Sequence, residues 1–272
     1  MIGNIKKLKS EHDSPVRYQL PIGDELLDMN ALIGRRIGLQ YQGEIHCVSC
    51  GRKTSKSFAQ GHCYPCFRSK AECDMCIMKP ETCHFDAGTC REPEWAMGHC
   101  MVPHTVYLAN SSGIKVGITR GTQIPTRWID QGASAALPIF RVNTRYQSGL
   151  VEVAIGKHVS DRTDWRKLLK GPPDEVDLPA RRDQLLALAQ AEIDAIRARF
   201  DEGDIEAVND GDVYTFEYPV NEYPAKIKSH NFDKTPEIEG ELLGIKGQYL
   251  ILDSGVLNIR KFTGYKIAVD TA

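Results

Sequence analysis

Cysteine is absent from most of this chain. All nine cysteines of the 272-residue chain fall within the 54 residues from Cys47 to Cys100, and the 218 positions outside that segment contain none. No apolar run approaches the ~20 residues that a membrane-spanning helix needs, and the first residues, MIGNIKKLKSEHD, have no apolar stretch typical of a secretory signal. These absences argue against a membrane protein and against a secreted disulfide framework. We therefore expect a cytoplasmic protein whose thiols are reduced.

The net charge is also small, at −2, but the charged residues are unevenly distributed along the chain. Residues 107–170 carry 10 Lys and Arg against 4 Asp and Glu, whereas residues 171–272 carry 11 against 20. A basic region of this kind can recruit phosphate backbones, which favours nucleic acid as a partner. The alternative is a solvated face whose charges pair with the acidic C-terminal part.

The first four cysteines form two Cys-x2-Cys pairs in the sequence HCVSCGRKTSKSFAQGHCYPCF, separated by twelve residues. Two such pairs can surround one structural Zn²⁺ with four thiolates. Gly51 and Gly61 flank the pairs where tight turns need an unhindered backbone. The sequence therefore predicts a zinc ribbon whose ligands are Cys47, Cys50, Cys63 and Cys66.

The remaining cysteines offer more ligands than one zinc ion uses. The stretch contains Cys73, Cys76, Cys83, His84, Cys90, His99, Cys100 and His104. One interpretation is a second structural zinc, and we predict its ligands as Cys73, Cys76, Cys90 and Cys100. Another is an iron–sulfur cluster on Cys73, Cys76, Cys83 and Cys90. Each histidine alone is more typical of an ordinary hydrogen-bonded side chain.

The pattern of strands and turns predicts an α+β protein. A β-hairpin is expected over 31–45, a second over 105–109 and 114–119, a helix near Pro125, a strand over 135–142 and a helix over 150–159. The predicted modules are an N-terminal β segment (1–45), a zinc-binding module (46–104), a central core (105–172), an amphipathic helix with an acidic linker (173–204) and a small barrel-like β module (205–272).

The hairpin sequence TVYLANSSGIKVGITR resembles the core of the GIY-YIG nuclease superfamily. Tyr107 matches the tyrosine of the first half-motif, and Lys115-Val116-Gly117 occupies the place of the second. Arg127 follows Gly117 by ten residues and Glu152 follows it by 35, which match the arginine and the metal-binding glutamate of the family. Lys115 departs from the pattern, since the family usually has a second tyrosine there.

The whole sequence also looks like a bacterial family known only as a domain of unknown function. This resemblance is carried by the stretches KPETCHF, GTCREPEW, VYLANSSGIKVGITR, PTRWIDQGA and KGQYL. It supports the order of the modules and implies no activity.

The nuclease resemblance implies cleavage of DNA or RNA with Mg²⁺ or Mn²⁺ held by Glu152, a phosphate bound by Arg127, and Tyr107 or Lys115 handling a proton. Two other functions remain open. One is a non-catalytic, zinc-dependent nucleic-acid or ribosome-binding factor, and the other is a protein-interaction scaffold. Each residue also has an ordinary structural interpretation, such as strand packing for Tyr107 and Gly117 or a solvated helix position for Arg127 and Glu152.

Overall fold

The computed structural model describes residues 1–159 and 164–271, which contain fifteen β-strands and seven α-helices. The strands are β1 (Ile2–Asn4), β2 (Lys9–Glu11), β3 (Arg17–Ile22), β4 (Glu25–Asp28), β5 (Arg36–His46), β6 (Lys53–Thr54), β7 (His104–Asn110), β8 (Ile114–Arg120), β9 (Ala135–Val142), β10 (Ile205–Ala207), β11 (Tyr214–Thr215), β12 (Glu237–Lys246), β13 (Tyr249–Leu252), β14 (Gly255–Asn258) and β15 (Tyr265–Thr271). The helices are α1 (Tyr64–Ser69), α2 (Met75–Met78), α3 (Pro93–His99), α4 (Thr126–Asp130), α5 (Arg145–Gly156), α6 (Trp165–Leu168) and α7 (Leu178–Arg197). The protein is therefore mixed α+β, as predicted.

The largest sheet joins the two ends of the chain. Its order is β1-β15-β5-β12-β13-β14, with β6 added to β5, and its strand pairs are antiparallel. The C-terminal strands were predicted to form a small barrel, but within the described residues they form no closed barrel. The reason is that β5, from the N-terminal part, pairs on one side with β12 and on the other with β15. The first and last parts of the chain consequently share one hydrophobic core.

The hairpin predicted over 31–45 is replaced by the single strand β5. Gly43 has a φ of +73°, a backbone conformation that favours glycine. It lies between Tyr41, which pairs with Ile267, and Ile45, which pairs with Tyr265. Two extra residues of β5 are therefore absorbed in a bulge at this glycine, and the chain continues in the same direction.

A second, five-stranded sheet has the order β10-β9-β7-β8, with β11 also paired to β9. Its hairpin of β7 and β8, and strand β9, agree with the strands predicted over 105–109, 114–119 and 135–142. Every residue of β7 is buried, because this central strand contributes to two cores. Tyr107 packs in the core of the large sheet, whereas Val106 and Leu108 pack in a core formed with α5 and α7.

Three helices surround the second sheet. Helix α4 begins directly after Pro125, as predicted. Helix α5 begins at Arg145, five residues before the predicted start, because Thr144 and Gln147 form a capping box. Helix α7 buries an apolar face that includes Leu185 and Ile193 against the sheet. None of the helices in the described residues is long and apolar enough to cross a membrane.

A smaller antiparallel sheet of β2, β3 and β4 completes the architecture. Tyr18 and Leu20 of β3 are fully buried and belong to the same core as Tyr107. The sheet thus supports the side of the large core on which the β7–β8 hairpin lies.

Candidate active site and cysteine clusters

The first four cysteines converge at the end of β5. The sulfur atoms of Cys47, Cys50, Cys63 and Cys66 all lie within 4.8 Å of one another, and those of Cys50 and Cys63 are 3.7 Å apart. A tetrahedral zinc site with Zn–S bonds of ~2.3 Å has sulfur–sulfur distances of about 3.8 Å. This cluster could therefore hold a zinc ion, in agreement with the zinc-ribbon-like region predicted from the spacing.

Local backbone geometry brings the two pairs together. Gly51 has a φ of +71°, which lets the chain turn back so that the amide N–H of Cys47 donates to the carbonyl of Arg52 at 2.9 Å. Gly61 has a φ of +124°, and a Cβ there would lie 2.7 Å from Val48 Cγ1. The second pair continues into α1, where Pro65 occupies the first turn.

The thiols of this cluster have very different acidities. A hydrogen bond from the backbone of Arg52 lowers the pKa of Cys50 to about 6, whereas burial raises the pKa of Cys66 to about 12. Four thiolates so close together need a cation to offset their repulsion. A zinc ion would supply that charge, and its binding would release the remaining protons.

The later cysteines surround a small cavity of about 20 Å³. Four of them line it: Cys76, Cys83, Cys90 and Cys100. Cys73, one of the predicted ligands, does not line the cavity. Its pKa is raised to about 11, mainly by burial and by the charge of Glu72, and the thiol of Cys47 contributes to this shift. Cys73 thus lies close enough to the first cluster for the charge of Cys47 to affect its pKa.

The histidines of this region have distinct surroundings. His99 stacks on the ring of Trp95 with centroids 4.1 Å apart. The Nδ1 atom of His104 is 2.7 Å from the carbonyl of Val102, and burial lowers the pKa of His104 to about 4. His84 belongs to a possible metal-binding group, since one ligand atom each from Asp74, Cys76 and His84 lie within 4.8 Å of one another.

A separate cleft of about 230 Å³ lies beside the β7–β8 hairpin. All five residues predicted to be catalytic line it: Tyr107, Lys115, Gly117, Arg127 and Glu152. They come from β7, β8, α4 and α5, so the fold brings together side chains that are spread over 46 positions of the sequence. Two further polar residues, Gln131 and Arg145, also line the cleft.

The hairpin register determines how the tyrosine enters the cleft. Tyr107 lies directly opposite Gly117, and a Cβ on Gly117 would be 2.7 Å from the Tyr107 hydroxyl oxygen. Glycine is therefore required for the tyrosine ring to lie across β8. Lys115 is two residues before Gly117 and shares its face of the strand.

The electrostatics of the cleft are dominated by cations. Burial lowers the pKa of Lys115 to about 8, with Arg127 adding to the shift and Glu152 opposing it. Burial likewise lowers the pKa of Arg145. Among the described residues that line the cleft, Glu152 is the only carboxylate. The arrangement is suited to an anionic ligand.

Arg145 was missed by the sequence analysis, and Gln131 was not among the residues predicted to be catalytic. Gln131 accepts a hydrogen bond of 2.9 Å from the Tyr107 hydroxyl, and Arg145 donates to the carbonyl of Ile77 at 2.7 Å. Arg145 precedes Glu152 by seven residues on α5, and Gln131 follows Arg127 by four residues at the end of α4. These helical spacings were the signal that could have identified them.

One wall of the cleft comes from the cysteine-rich segment. Ile77, Met78 and Pro80 line it, and the segment packs tightly on α5. A Cβ at Gly149 of α5 would lie 2.6 Å from Pro80 Cβ. The cysteine-rich region and the cleft therefore form one continuous structure.

Comparison with known families matches residues 34–267 to the family described as "Protein of unknown function (DUF2797)". The chain belongs to this family. The matched residues run from just before β5 into β15, and they include both cysteine clusters and every residue of the cleft. No curated protein and no solved structure matches the chain.

Proposed function

We propose that the cleft cleaves a phosphodiester bond of DNA or RNA, with Mg²⁺ or Mn²⁺ held by Glu152. The observation that carries the proposal is the convergence of Tyr107, Lys115, Gly117, Arg127 and Glu152 on one cleft. These are the residues that the resemblance to GIY-YIG nucleases identifies from the sequence.

Phosphate binding follows from the cations of the cleft. The planar guanidinium of Arg127 can donate two parallel hydrogen bonds to phosphate oxygens. Arg145 adds a second guanidinium, which its bond to the Ile77 carbonyl holds in a fixed position. The basic region 107–170 extends this positive charge and would attract the rest of the polynucleotide.

Glu152 fits a hard divalent cation. Such ions commonly bind one or two carboxylates and take their other ligands from water and from substrate phosphates. A single half-buried carboxylate among phosphate-binding cations suits this mode of binding. When bound, the cation would supply charge stabilisation on the phosphate oxygens.

The pKa values of the two side chains favour Lys115 over Tyr107 as the proton acceptor. Tyr107 is fully buried, burial raises its pKa, and its hydroxyl donates to Gln131. Lys115 has a pKa of about 8, so an appreciable fraction is neutral near neutral pH and can accept a proton from water. Tyr107 then has a positioning role at the floor of the cleft. The lysine that departs from the family pattern is thus compatible with catalysis.

The test is cleavage of labelled single- and double-stranded DNA and RNA in Mg²⁺ or Mn²⁺ by the wild type and by Glu152→Gln. This substitution keeps the size of the side chain and removes its charge. We expect cleavage by the wild type and a loss of about 10³-fold or more in the variant, because one cation-binding carboxylate commonly contributes several kcal/mol to the transition state. Glu94→Gln is the matched control, since Glu94 is exposed on α3 and does not line the cleft.

Binding should be measured on the same proteins at several salt concentrations. Salt-sensitive binding by the wild type without cleavage of any polymer would overturn the enzymatic proposal in favour of a nucleic-acid-binding factor. Absence of both binding and cleavage would favour the protein-interaction scaffold. Equal cleavage by the wild type and Glu152→Gln would exclude Glu152 from the chemistry.

A further inference from the structure

Four cysteines of the second cluster lie around a single cavity. Cys76, Cys83, Cys90 and Cys100 line a cavity of about 20 Å³. They come from four different points: α2, the end of the 3-10 turn Pro80–Thr82, the loop before α3, and the end of α3. Four thiols that approach one cavity from separate backbone segments are typical of a structural metal site.

We propose that Cys76, Cys83, Cys90 and Cys100 bind a second structural zinc ion, and that this ion fixes the wall of the cleft. This set differs from the one predicted from the sequence, because Cys83 takes the place of Cys73. On zinc binding, the four sulfur atoms would draw inward from their positions around the cavity.

The four sulfur atoms do not all lie within 4.8 Å of one another, so they would approach one another on zinc binding. Four cysteines are the donor set of a structural zinc site and also of an iron–sulfur cluster, and analysis for both metals distinguishes the two.

The surrounding charges suit four thiolates. Zinc with four cysteine ligands carries a net charge of −2, which needs compensation in a partly buried site. Arg145 and Arg91 supply positive charge: Arg145 interacts electrostatically with Cys100 and Cys76, and Arg91 lines the cavity.

Asp74 and His84 form the competing ligand set with Cys76. Asp74 already caps α2 by accepting a hydrogen bond from Met75, and Arg91 Nε is 2.7 Å from its carboxylate. The Nδ1 atom of His84 is 2.8 Å from Thr89 Oγ1, which leaves Nε2 as the nitrogen that this set would use. A cation on Asp74 would compete with Arg91 for this carboxylate, whereas binding by the four cysteines leaves the ion pair in place.

The proposed zinc site is connected directly to the cleft. Cys76 and Cys83 flank the wall residues Ile77, Met78 and Pro80. The carbonyl of Cys100 accepts a hydrogen bond of 2.8 Å from the amide of Arg145, the first residue of α5. A bound ion would therefore hold the wall and the beginning of α5 at a fixed separation.

The experiment is zinc and iron analysis of the purified full-length chain. We expect about two zinc ions and no iron in the wild type, about one zinc in Cys83→Ser, and about two in the matched control Cys73→Ser. A loss of zinc from Cys73→Ser together with two zinc ions in Cys83→Ser would overturn the assignment. So would a single zinc in the wild type, iron in place of zinc, or a loss of zinc in His84→Ala equal to that in Cys83→Ser.

Alkylation of the native wild type tests the same assignment if Cys83→Ser does not fold. With two zinc ions bound, eight thiols are protected and Cys73 is the one that reacts, as mapped by peptide mass spectrometry. Modification of Cys83 or Cys90 as fast as Cys73 would contradict the proposal. Both readouts are independent of nuclease activity, so they test the zinc assignment separately from the proposed function.

Discussion

The first cysteine cluster and the cleft differ in how much of the chain each one needs. The cluster takes its four thiols from residues 47–66, whereas the cleft takes polar side chains from residues 107–152 and a wall from residues 77–80. The cluster is held by its own turns, and the cleft depends on a sheet, two helices and the cysteine-rich segment. A substitution in the cluster should therefore act on folding, and one in the cleft should act mainly on chemistry.

The largest expected effect is from removing a ligand of the first cluster. In Cys63→Ser we expect the loss of one zinc ion and a fall in Tm of about 10 °C or more, since a structural metal contributes several kcal/mol of folding free energy. Thermal unfolding with zinc analysis measures both. Cys73→Ser is the control, and a Tm equally low in that variant would mean that loss of any cysteine destabilises the protein.

The substitution Gly117→Ala tests the close contact between Gly117 and the side chain of Tyr107. The new Cβ would collide with the Tyr107 hydroxyl at 2.7 Å. We expect a loss of about 1–3 kcal/mol in the free energy of unfolding, as for other overpacked sites, together with weaker cleavage. In the control Gly121→Ala, the Cβ meets nothing within 4 Å. Similar stability of the two variants would contradict the packing described for Tyr107.

The smallest effect concerns the pH dependence of cleavage. If neutral Lys115 accepts a proton, the rate should rise as pH increases through its pKa of about 8 and level off above it. The neutral fraction grows from about one eleventh at pH 7 to about ten elevenths at pH 9, so the rate should increase roughly tenfold. Lys115→Arg, which stays protonated, should lose this rise. An unchanged profile in that variant would assign the proton transfer to another group.

The cluster was predictable from the sequence because its signal is local. The spacing of Cys47, Cys50, Cys63 and Cys66 and the glycines beside them contain the information for a four-thiol site. The β7–β8 hairpin was predictable for the same reason, since two strand-like runs flank the turn at Gly113.

The other features of the fold and of the site depend on contacts between residues that are distant in sequence. The pairing of β5 with β15 joins residues more than 200 positions apart, and no local pattern specifies it. Spacing alone favours the Cys73–Cys76 pair, but Cys83 and not Cys73 lines the second cavity, whose cysteines come from separate backbone segments. Gln131 and Arg145 could be identified as cleft residues only from the positions of α4 and α5 beside the hairpin.

The most direct test of the account is the cleavage rate of Glu152→Gln protein that contains its full complement of zinc. We predict that this variant retains the zinc content and Tm of the wild type and loses cleavage. Retained cleavage would show that the chemistry does not depend on this carboxylate. Loss of cleavage together with loss of zinc would show that the cleft and the cysteine clusters do not have the separate roles assigned to them.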